Sequence, residues 1–201
     1  MPNDDLQSSL EQRTEEWFKQ RLGHVTASKV SDALAAPTTA TYQNYLWQLV
    51  AERLTGQQQE SFTNAAMQRG TELEPIARAA YEAHSGRFVD QIGFVKHPTI
   101  QWFGASPDGL VEDGCLEIKV PNTATHLQYL KAGKPPAKYR YQMMAQLACT
   151  GRSWCDFVSF DNRLPEHKQL FIVRFEPKQA EIDKMLEKVV VFLQQVEKEC
   201  L

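Results

Sequence analysis

The chain has 201 residues, 42% hydrophobic and 23% charged, with a formal net charge of −3. Such a chain buries a core without disulfide or metal staples, and no run approaches the roughly 18 consecutive apolar residues of a membrane helix. The acidic balance excludes recognition of nucleic acid by bulk charge, so any such partner must be met by local basic patches.

The opening Met1-Pro2-Asn3-Asp4-Asp5 is polar and acidic, unlike the basic start and apolar run of a secretory signal. The first nine or ten residues read as a loose lead. Thr14 caps a short helix through Trp17, which Gly23 ends. Thr26 or Ser28 starts a second helix, running from 27 to about 35 and stopping before Pro37. A third covers 41–54, with Tyr42, Tyr45, Leu46, Leu49 and Val50 on one stripe and Gly56 as its stop. A fourth covers 64–84, with Leu73, Ile76, Ala77, Ala80 and Tyr81 inward and Gly86 as its stop. Pro75 kinks this helix or opens its second half.

Strands follow at 87–96 and 101–105, with Ser106 to Gly109 read as a turn, then a strand at 115–120. Helices are expected at 123–131 and 138–149, the latter ended by Gly151. Two strands, 154–160 and 169–175, precede an amphipathic helix at 177–197 with Ile182, Met185, Leu186, Val189, Val190 and Leu193 on one side. The expected fold is a mixed α/β (α+β) one: a central mixed β-sheet of about five strands flanked by helices. One domain spans 1–201: a helical N-terminal part over 1–86, a sheet core with inserted helices over 87–176 and a closing helix over 177–201. Cys115, Cys149, Cys155 and Cys200 form no Cys-x-x-Cys pair, so reduced thiols in a cytoplasmic setting are expected.

The chemistry concentrates in Ser106-Pro107-Asp108-Gly109 and Leu116-Glu117-Ile118-Lys119. Alternation along a strand puts Glu117 and Lys119 on one face and Leu116 and Ile118 on the other. Gly109, Asp113 and Gly114 suit a tight return that folds Asp108 back beside Glu117. Two adjacent carboxylates repel one another unless a cation intervenes. Magnesium accepts one or two carboxylates plus water and phosphate oxygens, and the Ile118 carbonyl offers a further ligand. A lysine there orients or deprotonates the attacking water, or stabilises charge on the phosphate. Its ordinary pKa of about 10.4 favours the charge-stabilising role near neutral pH, with base activity growing under alkaline conditions. The Pro-Asp…Glu-x-Lys pattern matches the signature of restriction-endonuclease-like nucleases.

Further blocks stand in order along the chain: Arg21-Leu22-Gly23-His24-Val25-Thr26-Ala27-Ser28, Arg69-Gly70-Thr71-Glu72-Leu73-Glu74-Pro75, and Tyr141-Gln142 with Ala145-Gln146. With the motif above, they make the chain resemble the phage lambda exonuclease family, the YqaJ-type viral recombinases, from Trp17 to about Asp161. The resemblance implies a magnesium-dependent exonuclease, with manganese as a substitute and two ions per site. It implies a homotrimeric ring that threads double-stranded DNA ends, degrades one strand from 5′ to 3′ and leaves a 3′ overhang. A phage or prophage origin, a bacterial cytoplasm and a single-strand annealing partner are implied as well.

Residue by residue, the family's metal ligands fall on Asp108, Glu117 and the carbonyl of Ile118, and its active-site lysine on Lys119. Its upstream acid falls on Glu74 and its helix glutamine on Gln142, with Gln146 a rival one turn later. Its 5′-phosphate pocket falls on Arg21 and Ser28, with Thr26 nearby; Arg supplies a planar fork for phosphate. Lys131, Lys134, Lys138 and Arg140, interleaved with Tyr139 and Tyr141, form a basic stretch open to a DNA backbone. The 36–41 loop is shorter than in the lambda enzyme, so DNA-opening contacts do not transfer. A restriction- or resolvase-like endonuclease on the same core and a non-catalytic DNA-binding module are the alternatives.

Overall fold

The computed structural model describes residues 12–59 and 65–201; the loose lead expected over the first ten residues and the expected start of the fourth helix at 64 lie outside them. The helical first part contains α1 (Glu15–Arg21), β1 (Val25–Thr26), α2 (Val30–Ala33), α3 (Ala40–Thr55) and α4 (Ala65–Ser85). Then come β2 (Val95–Lys96), β3 (Phe103–Ala105), β4 (Gly109–Val111), β5 (Gly114–Lys119), α5 (Thr123–Ala132), α6 (Arg140–Thr150), β6 (Trp154–Phe160), β7 (Leu170–Phe175) and α7 (Gln179–Cys200).

Helix boundaries follow local chemistry. Thr14 Oγ1 accepts the Trp17 N–H and Thr39 Oγ1 that of Tyr42, opening α1 and α3. Gly151 closes α6 at φ 70, a left-handed conformation that costs a side-chain-bearing residue about 1 kcal/mol. The helix expected over 27–35 is shorter: Ala27–Lys29 is a 3-10 turn, and only Val30–Ala33 is α-helical. α4 runs unbroken through Pro75.

The mixed α/β class is as expected, but the single sheet is two. One has strand order β1-β3-β2, the other β4-β5-β6-β7. In the second, the β5–β6 pair is parallel and both flanking pairs are antiparallel. The strand expected over 87–96 is divided between them. Asp90 bridges to Leu110 of β4, whereas Val95 and Lys96 pair with β3. Between these points Phe94 packs over Gly104, where a Cβ would lie 2.2 Å from its ring. Ser106 to Gly109 is not a turn either. Asp108 leads straight into β4, Gly109 pairs with Leu116, and the chain reverses at Glu112, which adopts φ 50.

β5 and β6 are buried on both faces, as the centre of a covered sheet requires. Cys115, Cys155 and Phe157 join α3, α6 and α7 in the larger core. Tyr42 and Tyr45 pack around Phe192 of α7 there, at 5.0 and 5.5 Å between ring centroids. Leu116, Ile118, Val158 and Phe160 meet Ala77 and Tyr81 of α4 on the opposite face. Ile76, expected inward, is 50% exposed. One residue step along a helix turns it away from the Ala77–Tyr81 line.

A buried carboxylate holds the chain just beyond the sheet. Asp161 is fully buried and accepts hydrogen bonds from Arg163 (2.7 and 2.9 Å), Thr123 (2.6 Å) and Arg69 (3.2 Å). It thereby ties the end of β6 to the first turn of α5 and to α4. Burial opposes its charge, but hydrogen bonds from Arg163 and Thr123 outweigh it and hold its pKa below the usual carboxylate range.

Candidate active site

The β4–β5 hairpin sets Asp108 against β5. The Asp108 N–H donates to the Leu116 carbonyl at 3.0 Å, and the Ile118 N–H donates to Asp108 Oδ2 at 2.6 Å. Within one strand residue the N–H and C=O point to the same edge, so the Ile118 carbonyl faces the Asp108 side rather than β6. Glu117 is fully buried beneath α6. Its Oε1 accepts from Lys119 Nζ and from Gln142 Nε2 at 2.7 Å, and its Oε2 accepts from Gln146 Nε2 at 2.5 Å. The Lys119 ammonium also lies over the ring of Tyr139, 5.2 Å from its centroid. Asp108, Glu117, Lys119 and Gln142 therefore converge, and the two glutamines serve different oxygens of one carboxylate.

The electrostatics are those of a crowded acidic site. Burial first, and then the charge of Glu117, push the Asp108 carboxyl up to about 8. Burial works against the Lys119 ammonium, but Glu117 and Asp108 outweigh it and hold the amine above the ordinary lysine range.

Among the described residues no three His, Cys, Asp or Glu side chains gather into a metal cage. The donors here are two carboxylates and one carbonyl, a set that leaves room for water and phosphate oxygens, as magnesium prefers. The lifted Asp108 and the ammonium against Glu117 both mark a place where positive charge is favoured. The residues present fit a hard divalent cation.

Glu74 lies close enough for its charge to act on Asp108. Its two oxygens are held by Arg13 at 2.6 Å and Arg78 at 3.0 Å. Arg13 takes a left-handed φ of 71 just ahead of α1. Beside it Gln12 Nε2 donates to the carbonyls of Pro107 (2.7 Å) and Ile92 (2.8 Å), pinning the chain before Asp108.

Arg21, Thr26 and Ser28 line one pocket of about 310 Å³, together with Trp17, Tyr45 and Gln48. The Arg21 guanidinium stacks on Trp17, 3.9 Å from the ring centroid. It donates to Ser106 Oγ at 3.3 Å, which also accepts from Trp17 Nε1 at 3.0 Å. Among the described residues no carboxylate lies within ion-pair distance of Arg21. Burial lowers its pKa to about 10. Glu52 of the same pocket acts on Arg21 without pairing with it, its own oxygens being taken by the Gly23 N–H and Gln48, so the desolvated cation is left suited to an anion. Thr26 makes no side-chain cap to the turn it precedes; its hydroxyl faces that of Ser28 at 3.4 Å.

Sequence reasoning missed Trp17, which lines this pocket, and Ser106, which accepts hydrogen bonds from Trp17 and Arg21. The first was read as a helix residue and the second as a turn residue. The available signal was position, since Ser106 stands two residues before Asp108.

The basic stretch divides. Arg140 pairs with Glu181 at 2.5 Å, and Lys138 lies over Tyr139, 4.8 Å from its centroid. Tyr139 belongs beside Lys119, whereas Lys131, Lys134 and Tyr141 are exposed.

Comparisons with known proteins bear on the family and the fold. The profile of the YqaJ-like viral recombinase domain matches residues 16–153. A search of curated proteins finds no match. Among solved structures, an alkaline exonuclease from Laribacter hongkongensis, LHK-Exo, is 53% identical, covering 93% of this chain and 94% of its own, with a TM-score of 0.87. The same enzyme in complex with dAMP superimposes at 0.88 over the same coverage. A phage-related exonuclease from Haemophilus somnus 129PT shares the fold at 16% identity, with a TM-score of 0.69 over 87% of this chain and 94% of its own. With the profile spanning most of its length and a relative this similar over nearly all of it, the protein belongs to the YqaJ-like viral recombinase family.

Proposed function

We propose that the protein is a magnesium-dependent exonuclease that degrades one strand of linear double-stranded DNA from 5′ to 3′ and leaves a 3′ overhang. The observation that carries this reading is the junction of two sites. Trp17 and Arg21 of the pocket both donate to Ser106, two residues before Asp108 of the carboxylate cluster. An anion held by Arg21, Thr26 and Ser28 therefore lies a short step from the cluster, as a terminal 5′-phosphate does when the neighbouring phosphodiester is cut. Family membership and the likeness to LHK-Exo support the reading.

Asp108, Glu117 and the Ile118 carbonyl would hold the cation. When bound, magnesium supplies Lewis acidity and lowers the pKa of a coordinated water. Lys119, kept protonated by its neighbours, stabilises negative charge developing on the phosphate. Gln142 orients the nucleophile through its amide, and Glu74, once freed from Arg13, accepts a hydrogen bond from it. Occupancy by two ions, manganese as a substitute, a homotrimeric ring and a single-strand annealing partner belong to the same proposal. So does a phage- or prophage-encoded protein acting in the bacterial cytoplasm as one nuclease domain over 1–201. Among the described residues no helix is long and apolar enough to cross a membrane.

The test is a time course on end-labelled linear duplex, 5′-phosphorylated or 5′-hydroxylated, with magnesium or EDTA, beside closed circular DNA. Release of 5′ mononucleotides from the phosphorylated linear substrate alone is expected. Cutting of the circle assigns an endonuclease instead, and no cutting of either assigns a binding module.

A further inference from the structure

Gln146 is fully buried on α6, one helical turn after Gln142. Its amide is held at both ends. Nε2 donates to Glu117 Oε2 at 2.5 Å, and Oε1 accepts from Cys155 Sγ at 3.7 Å. The two oxygens of Glu117 are consequently unequal. Oε2 is committed inward, to an amide that solvent does not reach. Oε1 faces Lys119 and Gln142, the partly exposed side chains at the mouth of the cluster.

We propose that Gln146 is a positioning residue that makes Glu117 a one-oxygen ligand, and so sets which divalent cation the site prefers. The inference rests on the reading of Glu117 as a metal ligand. Magnesium and manganese take single carboxylate oxygens in a compact octahedral shell. Calcium takes about 6–8 oxygens and readily uses both oxygens of one carboxylate. An amide that donates to Oε2 from inside the fold holds that oxygen away from the mouth of the cluster and disfavours the second mode without adding charge. The buried hydrogen bond also fixes the carboxylate plane before any cation arrives, and loss of such outer partners typically weakens metal binding about 10- to 100-fold.

The experiment is calorimetric titration of the full chain with manganese alone and with calcium alone, for wild type, Gln146→Met and Gln142→Met. Methionine matches glutamine in length but offers no N–H. Gln146→Met is expected to bind manganese about tenfold more weakly while calcium affinity holds or rises, so the manganese-to-calcium preference falls about tenfold. Gln142→Met, which strips a donor from Oε1 but leaves Oε2 engaged, is expected to shift both ions together; an equal fall of the ratio there would overturn the assignment to Gln146. If Gln146→Met does not fold, Gln146→Asn, too short to reach Oε2, is read for the same change. An unchanged ratio in the Gln146 variant, with wild type binding manganese, overturns this inference alone. Wild type that binds neither ion overturns the functional reading beneath it.

Discussion

Replacing Asp108 with asparagine tests the electrostatics of the site while preserving its shape. The amide retains an oxygen for the Ile118 N–H, which now lies 2.6 Å from Oδ2. In the metal-free protein, burial and the charge of Glu117 raise the Asp108 carboxyl from 3.8 to about 8. Between those values the folded state holds a proton that the unfolded chain has released. Stability therefore falls as pH rises through this window, by about 1.4 kcal/mol per pH unit for one proton. From pH 5 to pH 7, wild type should lose about 3 kcal/mol more than Asp108→Asn. Urea unfolding in EDTA at pH 5, 6 and 7 measures the difference directly. Magnesium should recover the loss in wild type and do nothing for the variant, because a cation binds the ionised carboxylate. Parallel pH curves for the two proteins would refute the reasoning, since Asp108 would then ionise as an ordinary surface carboxylate.

Lys119→Met should lower the cleavage rate by at least about 100-fold while far-UV circular dichroism and binding to DNA ends persist; normal cutting would remove the lysine from the mechanism. Arg21→Ala should reduce the preference for 5′-phosphorylated over 5′-hydroxyl ends by about 10- to 100-fold, the worth of charge-assisted hydrogen bonds to phosphate, as read by competing the two substrates in one reaction. Asp161→Asn should destabilise the fold by about 3 kcal/mol at neutral pH, because Arg69 and Arg163 lose their shared carboxylate. The folded pKa of Asp161 is depressed, so this advantage of wild type is present above about pH 4 and should vanish as pH falls through the folded value, which acid unfolding curves would show.

The parts of this molecule legible from sequence are those governed by short-range rules. Thr14 caps, Gly56 and Gly151 stop, and alternation along β5 separates Glu117 from Leu116 because the strand period is two. The hairpin return that carries Asp108 beside Glu117 is local too. What escaped reading depends on distant partners. The 87–96 segment carries Phe88, Val89, Ile92, Phe94 and Val95 around Asp90 and Gly93, yet it is shared between two sheets, with Phe94 packed over the distant Gly104. Ser106 meets Arg21 and Trp17 through contacts spanning 85 and 89 residues, and Arg13 meets Glu74 across 61. The choice between Gln142 and Gln146 stayed open in the sequence because one helix face presents both; the fold gives each its own oxygen of Glu117.

The antiparallel pairing of Gly109 with Leu116 and Val111 with Gly114 restricts how this stretch of chain can change in length. Adding or removing a single amino acid at the reversal around Glu112 would leave Asp108 opposite the wrong neighbour. A one-residue slip within β5 would turn Glu117 and Lys119 into the apolar layer under α4. Relatives that retain the chemistry should therefore keep the distance from the aspartate to the glutamate constant, or alter it only by steps that preserve the alternation. Length variation should collect instead in connections such as 36–39 and 162–168, where no ligand of the cluster depends on the count.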